Sequence, residues 1–220
     1  MKKEKAVIFD MDGVLVNNNP FHKDAWLRYC QTFDIAIDEI EFFKNIWGKS
    51  NEDILNFLYK NLLSPSEIID HTEIKEAMYR DVFSASIKPL NGLYEFLENL
   101  KIAGFKMGIA TSAPTSNLNF VLEHLPIRHY FSALIDDSMI TQGKPSPEVY
   151  LKAAEKLFVA PHNCVAFEDS FSGIKSAMSA GMNVIGVTTT HSQEELQMIK
   201  FTINDFSKIK VEDVEGLLKR

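Results

Sequence analysis

The chain has 220 residues, of which 45% are hydrophobic and 24% charged, with a formal net charge of -7. That length suffices for one domain or for one with a smaller domain inserted, and the composition excludes a disordered or fibrous chain. Acids and bases are interspersed with no long basic run, which argues against nucleic acid or an anionic membrane surface as a partner.

The charged start Met1-Lys2-Lys3-Glu4-Lys5 is followed by an apolar run that Asp10 interrupts. No export signal is therefore expected, and no stretch is long enough to span a membrane. Cys30 and Cys164 are the only cysteines and have no Cys-x-x-Cys spacing. Both are expected to be reduced, buried thiols in a cytoplasmic protein. The oligomeric state stays open, with a monomer as the default.

Ala6-Val7-Ile8-Phe9 reads as a buried strand of a parallel sheet, ending abruptly at Asp10-Met11-Asp12-Gly13. If the backbone stays extended through Met11, Asp10 and Asp12 project to one side, where their repulsion calls for a cation, a substrate or a shared proton. The same segment alone also reads as an ordinary Asp-Gly turn.

Helical patterns follow over residues 20–33, 40–47, 51–62 and 65–83, the last with Pro65 in its first turn. Trp26 and Tyr29 fall on an apolar helical face and are expected in a core. Nothing in residues 17–86 reads as a strand, so this block is an all-helical insertion.

From Lys88 onward helix and strand alternate. A helix around Leu93–Leu100 is stopped by Gly104, and Phe105–Ala110 is the next strand. Helix Pro114–His124, strand Ala133–Ile135 and a helix through Phe158, with Ser146 as N-cap and Pro147 at its first position, come next. Strand Cys164–Phe167, helix Phe171–Ala180 and strand Asn183–Val187 complete the pattern. The fold class is therefore α/β: a doubly wound, Rossmann-like parallel sheet in residues 1–15 and 88–220, with a helical cap in residues 16–87. Met178 and Met182 are expected to be core filler.

In such a sheet, ligands bind beyond the carboxyl ends of the strands. Four of those ends, or the loops after them, carry chemistry: Asp10 and Asp12; Thr111 and Ser112 at a helix entrance suited to an anion; Lys144 between Gly143 and Pro145; Glu168 and Asp169. Acids and anion donors share a site when Mg²⁺ joins carboxylates to a phosphate.

These residues, as Asp10-Met11-Asp12-Gly13-Val14, Thr111 after an apolar strand, Gly143-Lys144-Pro145-Ser146-Pro147-Glu148 and Glu168-Asp169-Ser170 through Gly173, with Ala180-Gly181-Met182, come in the order of the haloacid dehalogenase superfamily. The chain resembles its phosphatase and β-phosphoglucomutase branch. The resemblance implies Mg²⁺-dependent hydrolysis of a small phosphorylated metabolite, a sugar phosphate foremost, with a phosphomutase of the same fold and a non-catalytic phosphometabolite-binding protein as alternatives. It further implies Asp10 as nucleophile and Asp12 as general acid and base. Thr111, Lys144 and the Ser112 amide would hold the phosphoryl group. Mg²⁺ would be held by the Asp10 carboxylate, the Asp12 carbonyl and Asp169, with Glu168 acting through water or through the ligands. An acid at Asp12 separates phosphate chemistry from carbon–halogen cleavage in this family.

Two segments depart from the pattern. Asn17-Asn18-Asn19-Pro20 replaces the acid-containing segment usual after the first motif. In the stretch Trp47-Gly48-Lys49-Ser50-Asn51-Glu52-Asp53, Asn51 stands where the mutases carry arginine, and Lys49 is the nearby cation that could take its place. His22, Lys49 and Asn51 are candidate cap contacts to substrate; His22 reads equally as a packed hinge residue.

Overall fold

The first apolar run forms strand β1 (Ala6–Phe9), and four more strands follow where the sequence puts them: β2 (Lys106–Ala110), β3 (Ala133–Ile135), β4 (Cys164–Glu168) and β5 (Asn183–Val187). A sixth, β6 (Thr202–Ile203), adds to the edge. The computed structural model describes residues 4–46 and 49–218. All six strands run parallel in the order β3-β2-β1-β4-β5-β6. The chain winds outward from β1 first to one side and then to the other, so the direction reverses between β1 and β4. That reversal is the place where an open α/β sheet has its crevice.

The continuous apolar character of β1 follows from burial on both faces. Ala6 and Ile8 join Ala166, Val149, Tyr150 and Ala153 in one cluster. Phe9 points the other way, stacking on Phe167 at 5.1 Å and meeting Phe206 edge-on at 6.0 Å. Helices α5 (Leu93–Ile102), α6 (Thr115–His124), α7 (Glu148–Leu157), α8 (Phe171–Ser179) and α9 (Val211–Leu218) accompany the sheet, with α7 against β1, β2 and β3, and α9 against β4. Met182 is buried with this core as expected, whereas Met178 is half exposed on the outer side of α8.

Two units divide the chain: one runs up to Asn17 and resumes at Lys88, and the other is Asn18–Ile87. The second holds α1 (Asn19–Thr32), α2 (Glu39–Asn45), α3 (Asn51–Leu58) and α4 (Pro65–Ser84) around Trp26, Tyr29, Phe42, Ile54 and Leu55. Ser64 and Glu67 form a capping box at the start of α4, satisfying two of its free amides. The third helical pattern ends earlier than its periodicity suggests. Lys60 and Asn61 take positive φ, which closes α3 at Leu58 and turns the chain toward Ser64. The end of the second pattern, Trp47, lies outside the described residues.

Cys30 and Cys164 are free and buried, and burial pushes their thiols up to about 11 and about 12. No described helix is long and apolar enough to cross a membrane.

Candidate active site

β1 stops at Phe9, one residue before the first acid, and the Asp10 amide still pairs with the Phe167 carbonyl of β4 at 3.0 Å. The backbone does not continue extended through Met11. The Met11 carbonyl instead accepts the amides of Leu15, Val14 and Val16, closing a tight loop in which Gly13 takes φ +75°. The acids thus approach across a bend, and Asp12 is near enough for its charge to act on Asp10.

Lys144 is the centre of the arrangement. Its side chain is 7% exposed, and its ammonium donates to Asp10 Oδ1 at 2.8 Å and to Glu168 Oε1 at 2.6 Å. The loop that delivers it is closed by Glu148, whose carboxylate accepts the amides of Thr141 and Gln142 at 3.0 and 2.8 Å. Lys152, those two amides and the Thr141 hydroxyl hold the Glu148 carboxyl down to about 2. The helix after this loop begins at Glu148, so Pro147 is its N-cap, not its first residue, while the Ser146 hydroxyl accepts the Glu148 amide at 3.4 Å. The Lys144–Pro145 peptide is cis.

Glu168 closes β4 and is fully buried. Besides Lys144, its Oε1 accepts the Tyr150 hydroxyl at 2.8 Å, while Oε2 accepts the amides of Asp169 and Ser170 and the Ser170 hydroxyl. A Cβ on Gly173 would fall 1.8 Å from Oε1, so only glycine lets α8 start this close to the carboxylate. Asp169 is buried next to it. Its Oδ2 accepts from the Thr190 hydroxyl, and the Thr189 hydroxyl lies 3.4 Å away while donating to the Gly13 carbonyl at 2.6 Å.

Asp10, Glu168 and Asp169 each offer an oxygen within 4.8 Å of the others. Burial above all, then the charges of Glu168, Asp169 and Asp12, pushes the Asp10 carboxyl well above the usual range against the pull of Lys144. Burial acts to lower the Lys144 ammonium, but Asp10 and Glu168 outweigh it and raise it. One lysine against three buried carboxyl groups leaves oxygen donors in excess of what its ammonium can satisfy. That donor set fits a hard divalent cation such as Mg²⁺.

Thr111 follows β2, next to β1 in the sheet, and is buried with its hydroxyl oxygen accepting the Ala113 amide at 3.0 Å. Ser112 is exposed beside it. Both reach the same sheet edge as Asp10, three or four residues ahead of α6.

The three remaining candidates belong to the helical unit. His22 stacks on Tyr79 at 3.9 Å with Nδ1 2.8 Å from the Lys75 ammonium. Burial and then Lys75 pull its imidazole down to about 3, so it is neutral at physiological pH. The Asn51 amide donates to Glu76 at 2.8 Å, and Glu76 also takes Lys75 at 2.9 Å. Lys49 is exposed just before α3.

Sequence reasoning missed Tyr150, Thr189 and Thr190. The threonines directly follow β5, so the carboxyl-end rule applied to a fifth strand would have found them. Tyr150 lies on the apolar face of α7 and looks like core; its one signal is a buried hydroxyl that must find an acceptor.

Residues 7–187 match the haloacid dehalogenase-like hydrolase family. The chain belongs to that family. It is 33% identical to a phosphorylated carbohydrates phosphatase of Thermotoga maritima over 98% of each chain, and 33% identical to β-phosphoglucomutase of Bacillus subtilis over 83% of each. A crystal structure of a haloacid dehalogenase family IA, variant 3 hydrolase from Entamoeba histolytica superposes with a TM-score of 0.91 at 30% identity, covering 98% of this chain and all of that one. This places the chain among haloacid dehalogenase-like hydrolases of the branch that includes β-phosphoglucomutase.

Proposed function

We propose that this hydrolase cleaves small phosphate monoesters, sugar phosphates foremost, by passing the phosphoryl group through Asp10. The observation that carries the reading is Lys144, buried and bridging Asp10 and Glu168 where the sheet reverses. A buried ammonium in contact with a nucleophilic carboxylate lowers the repulsion that an anionic phosphate would otherwise meet. The similarity to a phosphatase of phosphorylated carbohydrates supports the substrate class.

Mg²⁺ would be held by Asp10, Asp169 and the Asp12 carbonyl and, when bound, supplies charge neutralisation for the phosphoryl oxygens. An Asp10 oxygen attacks phosphorus as the bond to the leaving oxygen breaks, and Asp12 gives that oxygen its proton. Asp12, now a carboxylate, takes a proton from water, which attacks the phosphorus of the aspartyl phosphate. The bond to Asp10 breaks and inorganic phosphate leaves. Lys144, with Thr111 and the Ser112 amide, holds the phosphoryl oxygens throughout, and Glu168 keeps Lys144 in place.

Residues 16–87 act in this reading as a cap that selects the substrate. Its Asn51 amide is committed to Glu76, so the position where the mutases resemble one another in carrying arginine offers no cation for a second phosphate. Water is therefore the preferred acceptor. The test is a monoester panel with and without Mg²⁺, including β-glucose 1-phosphate with a trace of the 1,6-bisphosphate. Inorganic phosphate should form faster than glucose 6-phosphate; stoichiometric glucose 6-phosphate with little phosphate would make the protein a mutase using Lys49 or another cap residue.

A further inference from the structure

We infer that Thr189 and Thr190, in the loop after β5, are positioning residues that set the affinity and selectivity of the metal site by orienting Asp169. The inference rests on the reading of Asp10, Asp169 and the Asp12 carbonyl as Mg²⁺ ligands.

Three separate segments meet here. The Thr190 hydroxyl donates to Asp169 Oδ2, and the Thr189 hydroxyl donates to the Gly13 carbonyl at 2.6 Å while lying 3.4 Å from the same Oδ2. Gly13 itself is packed against that carboxylate: a Cβ there would fall 1.9 Å from Oδ2 and 3.1 Å from Thr189 Oγ1. The threonine pair therefore ties Asp169, which follows β4, to the turn after β1 that carries Asp12. A carboxylate restrained through one oxygen presents the other in a fixed direction. It is also hindered from rotating into a bidentate mode. Mg²⁺ demands near-ideal octahedral geometry from few protein ligands, whereas Ca²⁺ accepts bidentate carboxylates and more of them. Restraint of this kind favours the smaller ion.

Threonine and valine have nearly the same shape, so Thr189→Val with Thr190→Val removes both donors and keeps the packing. Calorimetric titration of the metal-free protein with Mg²⁺ and separately with Ca²⁺, alongside thermal melting, reads the effect without any turnover. The double variant should bind Mg²⁺ about tenfold to a hundredfold more weakly, the range seen when partners behind metal ligands are removed. Its preference for Mg²⁺ over Ca²⁺ should shrink. Thr190→Ser keeps the hydroxyl and should bind as wild type does; a tenfold loss in that variant would overturn the role of the hydroxyl, even if the double valine variant does not fold. Wild-type affinity and selectivity in a folded double variant would likewise overturn it. If the wild-type protein itself takes up no Mg²⁺, the metal reading falls and this inference with it; uptake in wild type with unchanged variants sinks the inference alone.

Discussion

Gly13→Ala separates backbone strain from damage to the site. Gly13 has φ +75°, and the left-handed region costs an alanine about 1–2 kcal/mol. Gly104, remote from the acids at φ +78°, carries the same backbone penalty, but a Cβ there meets nothing within 4 Å. At Gly13 the new Cβ would sit 1.9 Å from Asp169 Oδ2, where real contacts do not fall under 3.0 Å. The carboxylate or the turn must therefore shift by at least about 1.1 Å. A misplacement of about 1 Å among catalytic groups costs on the order of a hundredfold in rate. Gly104→Ala should melt about 2–8 °C below wild type, the shift that 1–2 kcal/mol gives a chain of this size, and Gly13→Ala at least as far. Only Gly13→Ala should lose about a hundredfold in turnover of a phosphate monoester, with Mg²⁺ binding weakened in calorimetry. Equal activity in the two variants would refute the claim that Gly13 is there to let the turn reach Asp169.

Tyr150→Phe removes the hydroxyl that Glu168 accepts and leaves Lys144 bound, so kcat should fall and the protein should lose about 1.5–3 kcal/mol, a hydrogen bond to a charged group; an unchanged melting temperature would show that the bond does not matter. His22 gives the helical unit an acid sensitivity. Its folded imidazole titrates at about 3 against an ordinary 6.5, so below pH 6.5 the unfolded state takes up a proton that the folded state refuses. Stability is then lost as pH falls from 6.5 toward 3, at up to about 1.4 kcal/mol per pH unit. Denaturant unfolding between pH 7 and 4.5 should show a shallower slope in His22→Asn, and identical slopes would rule the histidine out as the cause.

The sheet was legible because burial on both faces leaves β1 and β4 as uninterrupted apolar runs, each ending in acids. The edge strand β6 has only two residues and no such run, so it was not foreseen, and α9 after it was not foreseen either. Asp10, Lys144, Glu168 and Asp169 could be named from charge at strand ends, and the structure brings those four together. Thr189, Thr190 and Tyr150 act through hydroxyls alone. The threonines follow β5 and were open to the same strand-end rule, but a hydroxyl on an apolar helix face, as in Tyr150, has no pattern in one sequence and meets its acceptor only in the folded chain. The turn at Asp12-Gly13 was legible in its residue types as the alternative to an extended run, but the return of three amides to the Met11 carbonyl was not, since it leaves no periodicity.

The central claim is that the phosphoryl group passes through Asp10, and rapid-quench labelling with a ³²P sugar monophosphate tests it directly. Within the first turnover the label should appear on the peptide containing Asp10, ahead of free phosphate, and Asp10→Asn, nearly isosteric and still folded, should show neither label nor turnover. Phosphate release with no label on Asp10, or an Asp10→Asn variant turning over near the wild-type rate, would contradict the account.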